Sequence, residues 1–373
     1  MNKGLRNELL TLLSLGALGC LVFRRPRMAA GLGLTAAGVA LLTKTKPVSF
    51  RGAAVVITGG SRGLGLALAK ELVKEDASVT LLARDAEELE RARQILTFET
   101  PGARVQIIPC DVTRDAELSM ALEQSIALWG SVDMLINNAG AILVGPFDTL
   151  TREDFEAQMN LHLYPVLKAT QWLVPHFRRR RKGRIVNICS LGGKVAVPHM
   201  LPYDSSKFAL AGFSQGLTAE LALDGIPVTT VYPTLLRTGS PIQAVFKGDH
   251  QKEYTWFAAS DNFPGLSMSA TKAARAILQG AREGKAEVIL GSLGRVRVGL
   301  AIFFPETLAW TMALLNRLMP RGRATSYHTG AESQTYFNNK YWTYFFRRSA
   351  AKSERDLNQV PKDNAKFNLG LLH

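Results

Sequence analysis

Tyr203 and Lys207 lie four residues apart at the start of an apolar helical stretch, within the segment Tyr203-Asp204-Ser205-Ser206-Lys207. This spacing puts the phenol and the ammonium group on one face of a helix. A free tyrosine has a pKa of about 10, and a lysine cation held beside it lowers that pKa. The pair could therefore exchange a proton with an alcohol or carbonyl near neutral pH. Because the same spacing also arises by chance on helices, the surrounding elements must decide between chemistry and packing.

Composition indicates a globular chain with a basic surface. Of the 373 residues, 47% are hydrophobic and 20% are charged, and the net charge is +14. No basic helix or Lys/Arg-rich nucleic-acid motif occurs, so we predict no nucleic-acid partner. Contact of the basic surface with anionic lipid is at least as plausible as nucleic-acid binding. The run from Arg178 to Lys182 is interpreted as a solvated turn, with lipid headgroup contact as the alternative. The three cysteines match no disulfide or metal-binding spacing, so neither a disulfide framework nor a metal is expected.

From Gly52 onward, short apolar segments alternate with helical ones. The predicted strands are Ala53–Thr58, Ser78–Ala83, Arg104–Ile108, Val132–Ile136, Arg184–Cys189, Pro227–Tyr232 and Ala286–Leu290. The predicted helices are Leu64–Glu75, Ala86–Thr97, Ala116–Trp129, Arg152–Phe177, Tyr203–Asp224 and Ala270–Glu283. Near-continuous apolar strands joined by crossover helices predict an α/β fold with a seven-stranded parallel sheet covered on both faces.

A glycine-rich loop, residues 58–65, joins the first strand to the first helix of this pattern. Such a loop points backbone N–H groups and the helix dipole at an anion. Gly59 permits the tight turn, Gly63 lets a pyrophosphate approach, and Gly65 lets helix and strand pack closely. The position of this loop after the first strand predicts a dinucleotide site.

Ala83-Arg84-Asp85 ends the second strand, where an acidic residue would select NAD. Arg84 and Arg62 suit a 2′-phosphate instead, because arginine binds phosphate bidentately. Asp85 is interpreted as the N-cap of the next helix. We therefore predict NADP(H) as the preferred cofactor, with NAD(H) as the alternative.

Polar residues also follow the third, fourth and fifth strands, where strand ends face a cofactor. Asp111, before Val112, either accepts from the adenine amino group or caps a helix. Asn137-Asn138-Ala139-Gly140 follows the fourth strand and Ser190 the fifth.

Together these stretches resemble the classical short-chain dehydrogenase/reductase family over roughly residues 50–293, with Ser190 thirteen residues before Tyr203. The resemblance implies a Rossmann-type, doubly wound fold. It is compatible with a homodimer or homotetramer. The residues implied to bind the cofactor are Thr58, Gly59, Ser61, Arg62, Gly63, Leu64, Gly65, Arg84, Asp111, Val112, Asn137, Ala139, Gly140, Tyr203, Lys207, Pro233 and Thr238.

The resemblance also implies four catalytic roles. Tyr203 would be the general acid/base, and Lys207 would lower its pKa and hold the nicotinamide ribose. Ser190 would hydrogen-bond the substrate oxygen. Asn160 would hold a water that links Lys207 to solvent. The implied activity is hydride transfer between the nicotinamide and a carbonyl or alcohol carbon, without a metal. A non-catalytic nucleotide-binding sensor or scaffold at a membrane is the alternative.

The substrate side of the domain is less regular. Thr234 stands where the family commonly has glycine after Pro233, so the loop around the carboxamide is expected to differ. Residues 240–266 form the expected lid, with Phe246, Tyr254, Trp256, Phe257 and Phe263 as its aromatic residues. These favour a lipophilic ketone, aldehyde or alcohol, although they could simply pack the lid. His199 is a candidate for the substrate mouth, and Cys189 is expected to be buried.

Residues 1–50 contain two apolar runs, 9–23 and 28–43, separated by arginines. Each is short for the roughly 30 Å hydrocarbon core, so we predict a helical membrane hairpin. A signal peptide or a buried hairpin is the alternative. Flanking lysines and arginines favour a membrane-associated protein with the catalytic domain, residues 51–293, on the cytoplasmic side, although the loop arginines argue against this.

Residues 294–322 form an apolar segment interrupted at Pro305. A helix lying in the membrane interface fits this pattern, and a helix packed on the domain or on a dimer partner is the alternative. Residues 323–373 are expected to form a polar tail with an aromatic and basic cluster, disordered from 350 onward.

Overall fold

The computed structural model describes residues 3–22, 26–42, 48–262, 267–334 and 356–359. The α-helices are α1 (Lys3–Val22), α2 (Pro26–Leu42), α3 (Gly63–Lys74), α4 (Ala86–Glu99), α5 (Asp115–Trp129), α6 (Arg152–His162), α7 (Tyr164–Arg180), α8 (Leu201–Leu221), α9 (His250–Asn262), α10 (Ala270–Arg282), α11 (Ser292–Phe303), α12 (Pro305–Leu318) and α13 (Gly330–Ser333). The strands are β1 (Ala54–Thr58), β2 (Ser78–Ala83), β3 (Arg104–Pro109), β4 (Met134–Asn137), β5 (Leu143–Val144), β6 (Ile185–Ile188), β7 (Val228–Tyr232), β8 (Leu236–Arg237), β9 (Val245–Phe246), β10 (Met268–Ser269), β11 (Glu287–Ile289) and β12 (His328–Thr329).

The central sheet has seven strands in the order β11-β7-β6-β4-β1-β2-β3. All neighbouring strands are parallel; Val55, for example, is paired with Val79 on one side and Met134 on the other. The predicted doubly wound, seven-stranded parallel sheet is confirmed. The strand order reverses at β1, between β2 and β4, and a crevice at such a switch point is where this architecture binds ligands.

Both faces of the sheet are covered by helices, which explains why its strands are apolar throughout. All five residues of β1 are buried. On one face Leu66, Leu72 and Ile277 belong to a core built with α3 and α10. On the other face Leu122 and Phe177 belong to a core built with α5 and α7. A strand buried on both sides has no solvent-facing positions that need polar residues.

The single helix predicted over residues 152–177 is two helices, α6 and α7, with a break at Leu163. Pro165 lies at the start of α7 and has no backbone N–H to donate to the preceding turn. Its ring also restricts the residue before it, so the helix must restart there. The break sets the orientation of α6, which faces the catalytic helix α8.

The lid is fixed to α6 by a buried ion pair. Lys247 Nζ lies 2.8 Å from Asp154 Oδ2, and both residues are almost inaccessible to solvent. Tyr327 donates to the other oxygen of Asp154 at 2.9 Å, and the Lys247 ammonium lies 4.4 Å from the centroid of the Tyr327 ring. A buried charge needs such a partner set, because an unpaired ion would be strongly destabilising. The lid, α6 and the segment after α12 are thereby joined.

Two apolar helices, α11 and α12, follow the last strand of the central sheet and meet at an angle of 118°. No residue of α12 is buried. The exposed side chains include Ile302, Phe303, Phe304, Trp310 and Leu318, which are each more than half exposed. This pair therefore presents a large apolar surface outside the core domain.

At the N-terminus, α1 and α2 form a helical hairpin in which Gly16 approaches Leu32. Within the described residues, none of the helices alone is both long and apolar enough to cross a membrane, and only the bent α11–α12 pair meets that requirement when taken together. The expected transmembrane span at residues 1–50 is therefore not supported.

Part of the tail expected to be disordered is packed against the catalytic domain. Leu357, Asn358 and Gln359 are 6%, 3% and 3% exposed. They lie against the glycine-rich loop, where Gly63 N–H donates to Leu357 O at 3.0 Å. The aromatic and basic cluster predicted at residues 336–348 lies outside the described residues.

Candidate active site

Tyr203 and Lys207 lie in the first turns of α8 and face the same cavity. The Lys207 ammonium is 5.7 Å from the centroid of the Tyr203 ring and donates to Ile188 O at 3.1 Å. Lys207 is only 4% exposed, and this burial lowers its pKa to about 8. The sheet contributes the acceptor because β6 ends directly below α8. A cation is thus held beside the phenol, as the spacing predicts.

His162, at the end of α6, lies beside Tyr203, a position that the sequence analysis did not anticipate. Its ring is 1% exposed and meets the Tyr203 ring edge-to-face, with centroids 5.4 Å apart. Nε2 accepts from Ala141 N–H at 3.3 Å, so Nδ1 carries the proton and donates to Ser206 Oγ at 2.8 Å. Ser206 in turn donates to Tyr203 O at 2.7 Å. Burial, and secondarily the charge of Lys207, hold the pKa of His162 well below its ordinary value, so the ring is neutral.

Asn160 is not brought to this site. It is exposed on α6 and does not line the cavity, so the predicted water-holding role is not supported by its position. Two residues along a helix rotate the side chain by roughly 200°, which places Asn160 and His162 on opposite faces. The glycine at position 140 marks the correct partner: a Cβ there would lie 3.0 Å from His162 Nε2. His162 therefore occupies the space beside Lys207.

Ser190 follows β6 and lines the cavity together with Tyr203. Its Oγ accepts from Gly192 N–H at 3.0 Å, which orients the hydroxyl. Next to it, Asp204 is 2% exposed, and burial raises its pKa to about 7. Asp204 Oδ2 accepts from Val197 N–H at 2.7 Å, and a side chain at position 192 would collide with the other oxygen. The serine loop and the start of α8 are therefore joined closely.

The glycine-rich loop is held by the end of β4. Thr58 Oγ1 accepts from Asn138 N–H at 2.9 Å and Ala139 N–H at 3.0 Å, while the Asn138 amide donates back to Thr58 O and Gly59 O. Gly63 has a φ of +57°, which suits glycine, and lines the cavity. A Cβ on Gly65 would collide with Gly59 O, so its predicted packing role agrees with the structure.

Three residues predicted to bind the cofactor lie behind the cavity wall instead of lining it. Asn137 is buried and donates to Asn187 across the sheet at 2.8 Å, so it joins β4 to β6. Thr58 and Gly65 shape the loop from behind. Asn138, one residue later on the opposite face of the strand, is the asparagine that lines the cavity.

At the other end of the cavity, Arg62 and Arg84 lie near Glu88 of α4. Arg62 Nη1 is 2.7 Å from Glu88 Oε1, and Glu88 also accepts from Ser61 Oγ at 3.1 Å. The pKa of Arg62 is lowered, first by burial and also by the charge of Arg84. Asp85 caps α4 through Glu87 N–H and Glu88 N–H, as predicted. Arg62 is therefore paired with a carboxylate, a partner that the sequence analysis did not anticipate.

The Asp111 side chain stabilises the turn that follows it. Its Oδ1 accepts from the backbone and hydroxyl of Thr113, and α5 starts later, with Arg114 as N-cap. It is thus not the predicted helix cap, and it does line the cavity near Val112.

All these groups border one cavity of about 970 Å³. The predicted residues that line it are Gly59, Ser61, Arg62, Gly63, Leu64, Arg84, Asp111, Val112, Ala139, Gly140, Ser190, Tyr203, Lys207, Pro233 and Thr238. The cavity runs from the two arginines, past the left-handed Gly63, to Tyr203. A dinucleotide fits this arrangement, because the two arginines, the glycine-rich loop, and Tyr203 with Lys207 follow each other along the cavity. This is the order of the adenosine end, the pyrophosphate and the nicotinamide in the dinucleotide.

The remaining wall of the cavity is mainly apolar and comes from the segment between β6 and α8, the lid, and the α11–α12 pair with Met319 after it. Its apolar residues are Leu191, Val195, Met200, Trp256, Phe257, Leu293, Met312, Leu315 and Met319. Phe246 and Tyr254, by contrast, pack inside the lid with ring centroids 5.7 Å apart. Phe263 lies outside the described residues. Thr234 is accommodated because the neighbouring position 294 is a glycine. A Cβ at Gly294 would lie only 2.7 Å from the Thr234 methyl group.

The other polar candidates have structural partners. His199 is buried, with Nδ1 2.8 Å from Glu253 Oε1, and it is Glu253 that lines the cavity. Cys189 is buried, as expected, and its thiol contacts Lys207 O. In the arginine run, Arg178 pairs with Asp224, consistent with a solvated helix end.

Comparison with known proteins agrees with this geometry. The family model described as short chain dehydrogenase matches residues 53–245. A fatty acyl-CoA reductase from Acinetobacter baylyi is 36% identical over 190 residues, which cover 50% of this chain and 64% of that protein. A 3-dehydrosphinganine reductase from Danio rerio is 34% identical over 195 residues, covering 52% and 59%. The match therefore spans about three fifths of these two curated relatives.

Among solved structures, a short-chain dehydrogenase from Streptomyces avermitilis superimposes with a TM-score of 0.61 at 27% identity. The superposition covers 71% of this chain and 97% of the other. The family model covers the glycine-rich loop, Ser190, Tyr203, Lys207 and every strand of the central sheet except β11. The chain belongs to the short-chain dehydrogenase family.

Proposed function

We propose that this protein is an oxidoreductase that transfers hydride between a nicotinamide dinucleotide, preferably NADP(H), and the carbonyl or alcohol carbon of a lipophilic substrate. One observation carries the proposal: a single cavity connects Arg84 and the glycine-rich loop to Ser190, Tyr203 and Lys207. A nucleotide sensor without turnover would need the loop but not a buried ammonium beside a phenol.

The chain's own residues would hold and move the proton. Tyr203 donates its phenolic proton to the substrate oxygen in the reductive direction and accepts it in the oxidative direction. The charge of Lys207, held 5.7 Å from the ring centroid, favours the phenolate. Ser190, oriented by Gly192 N–H, hydrogen-bonds the same substrate oxygen and stabilises the charge that develops there.

The dinucleotide, when bound, supplies or accepts the hydride. Gly59 and Leu64 would hold its pyrophosphate at the start of α3, where Gly63 leaves room because it has no side chain, and Lys207 would hold the ribose next to the nicotinamide. Arg84 and Arg62, which both line this end of the cavity, would hold a 2′-phosphate, because guanidinium groups bind phosphate bidentately.

The activity is tested by Tyr203→Phe, with a screen of lipophilic aldehydes and ketones against NADPH. We expect kcat to fall by about 10²–10⁴-fold while NADPH binding is unchanged, because the ring is kept and only the proton is removed. Tyr164→Phe, at a half-exposed tyrosine on α7, is the matched control. Unchanged turnover in Tyr203→Phe would exclude the mechanism.

Cofactor preference is tested by Arg84→Asp. We expect the ratio of kcat/KM for NADPH over NADH to fall by at least about tenfold, since a charge-assisted hydrogen bond is lost and a like charge faces the phosphate. Arg93→Asp, on the outer surface of α4, controls for net charge. If the ratio is the same in both variants, Arg84 does not select the cofactor.

A lipophilic substrate is supported by the wall of the cavity, where Leu191, Trp256 and Met312 come from three separate elements. The names of the two curated relatives, a fatty acyl-CoA reductase and a 3-dehydrosphinganine reductase, indicate that related proteins act on long-chain compounds. We infer a substrate with an extended apolar portion, lodged between the lid and the α11–α12 pair.

We also infer that the α11–α12 pair rests on a membrane surface on the cytoplasmic side, beside the substrate entrance. The exposure of this pair supports the inference, because α12 buries no residue and α11 buries only Gly294 and Val298. Arg295 and Arg321 flank its apolar surface, a composition typical of helices that lie at the headgroup level.

A chain beginning at Pro47 tests the contribution of residues 1–46, since its membrane binding should be weaker than that of the full-length protein.

A further inference from the structure

The C-terminal residues Leu357, Asn358 and Gln359, which we call the clasp, lie on the cofactor side of the molecule. They are more than 290 residues away in sequence from the loop that they contact, and they lie far beyond the part of the chain that matches the family model. All three are buried. Burial of a polar tail segment needs specific hydrogen bonds, because unsatisfied polar groups would oppose it.

Asn358 meets this requirement in full. Its Nδ2 donates to Ser61 O and to Glu88 O, both at 2.9 Å, and its Oδ1 accepts from Arg91 Nε at 3.1 Å. Its φ of +56° is a left-handed conformation that asparagine tolerates better than most residues. The side chain thus joins the glycine-rich loop to α4, the same two elements that the Arg62–Glu88 ion pair joins.

Gln359 reaches the cavity itself. It lines the cavity together with Gly63 and Thr238, and its Nε2 lies 3.1 Å from the point where a Cβ of Gly63 would be. Gly63 is the position at which a pyrophosphate approaches the backbone. Among the described residues, the buried Gln359 Oε1 has no hydrogen-bond partner. This oxygen can accept from a donor group of a ligand, while Nε2, the donor end of the amide, is the atom that lies beside Gly63.

The docked clasp leaves the cavity open. With Gln359 in its wall, the 970 Å³ cavity still runs from Arg84 to Tyr203. The clasp therefore forms part of the wall of the dinucleotide path and does not fill it. Because Asn358 of the clasp donates to the carbonyl oxygens of Ser61 and Glu88, the clasp also holds Arg62 and Arg84 in place.

We propose that the clasp is part of the dinucleotide site: Asn358 fixes the loop and α4 around the adenosine end, and the Gln359 amide donates to the pyrophosphate. The proposal rests on the proposed function for its ligand. It extends that function by assigning cofactor retention to a segment outside the family match.

The test measures NADPH binding to the full-length protein by fluorescence titration, without turnover. Gln359→Ala should raise the Kd for NADPH by about tenfold, the loss expected for a hydrogen bond to a charged group. The same variant should bind adenosine 2′-monophosphate, which lacks the pyrophosphate, within about twofold of the original protein. Asn358→Ala should weaken both ligands by about tenfold, since it releases the adenosine end.

Asp356→Ala is the matched control, because the chain uses only the backbone carbonyl of this exposed residue, which accepts from Lys70. Far-UV circular dichroism and the unfolding temperature confirm that each variant is folded. An unchanged Kd for NADPH in both variants overturns the proposal, and a lowered Kd overturns it in favour of an inhibitory plug. If the original protein binds neither ligand, the proposed cofactor itself is wrong, which is a separate result.

Discussion

The start of α8 and the helix α12 show how differently the two sides of the substrate cavity are built. The start of α8 is surrounded by buried partners. Lys207 donates to a carbonyl of the sheet, and the hydrogen bond between Ser206 and His162 links α8 to the loop after β4. On α12, Met312 and Leu315 line the cavity, yet no residue of that helix is buried. The Tyr203 end of the cavity is therefore fixed by buried contacts of the fold, whereas the wall on the other side includes a helix that is exposed to solvent. This difference predicts that substitutions on α8 change chemistry and those on α12 change substrate access.

The largest effect is expected from Lys207→Met. Removal of the cation should lower kcat by about 10²–10⁴-fold, because the phenolate loses its support. The same change should stabilise the cofactor-free protein at pH 7, since burial lowers the Lys207 pKa from 10.5 to about 8 and thus penalises the charged form. The gain is on the order of 1–3 kcal/mol.

The sign of the pH dependence checks this interpretation. Between pH 8 and 10.5 the unfolded chain binds the Lys207 proton and the folded chain does not, so the stability of the original protein rises with pH. The advantage of Lys207→Met should therefore shrink from pH 7 to pH 10 in urea unfolding experiments. A variant that is less stable at pH 7 would show that the ammonium is not penalised by burial.

A smaller effect, about 10–100-fold in kcat, is expected for His162→Phe, which loses the bonds to Ala141 and Ser206 while the packing against Tyr203 is kept. His162→Asn should recover part of the loss, because an amide can both accept and donate. Cofactor Kd should be unchanged in both variants. Equal kcat in all three proteins would reduce His162 to a packing residue.

The same histidine predicts acid sensitivity. The folded-state pKa of His162 lies below 6.5, so the unfolded chain takes up the proton first and stability falls as the pH drops below 6.5. His162→Phe should lose this part of the slope in thermal unfolding measured from pH 7 to pH 5. The same slope in both proteins would assign the acid sensitivity to other groups.

The smallest effect on catalysis is expected on the other side of the cavity. Phe303→Ser combined with Trp310→Ser removes two side chains that are 75% and 67% exposed. Binding to phosphatidylcholine–phosphatidylglycerol vesicles should weaken by at least about tenfold, as burial of each aromatic group contributes roughly 1.5–3 kcal/mol. Turnover of a short, water-soluble carbonyl should stay within about twofold.

Phe98→Ser is the control for this experiment, because Phe98 is an equally exposed aromatic residue on α4. If the control and the double variant bind vesicles alike, the α11–α12 pair does not face a membrane. If short and long substrates lose turnover equally, the two sides of the cavity are not separable in the way that the comparison of α8 with α12 suggests.

Prediction from sequence was accurate where the signal is local. Tyr203 and Lys207 were found because a spacing of four on a helix fixes their common face. The seven strands were found because apolar runs between helices have no other stable arrangement. The single long helix over residues 152–177 was wrong because Pro165 was not treated as a break. Asn160 was carried over from the family resemblance, and the structure places it on the exposed face of α6.

The amino-acid sequence by itself thus determined the sheet, the glycine-rich loop and the common helix face of Tyr203 and Lys207, since each depends on periodicity or on residues only a few positions apart. Only the tertiary structure decided which asparagine after β4 lines the cavity, which face of α6 meets α8, and that Asn358 bonds to Ser61. The physical reason is that a helical face or a strand face is defined only against its partner. Contacts between residues hundreds of positions apart leave no pattern in the local sequence.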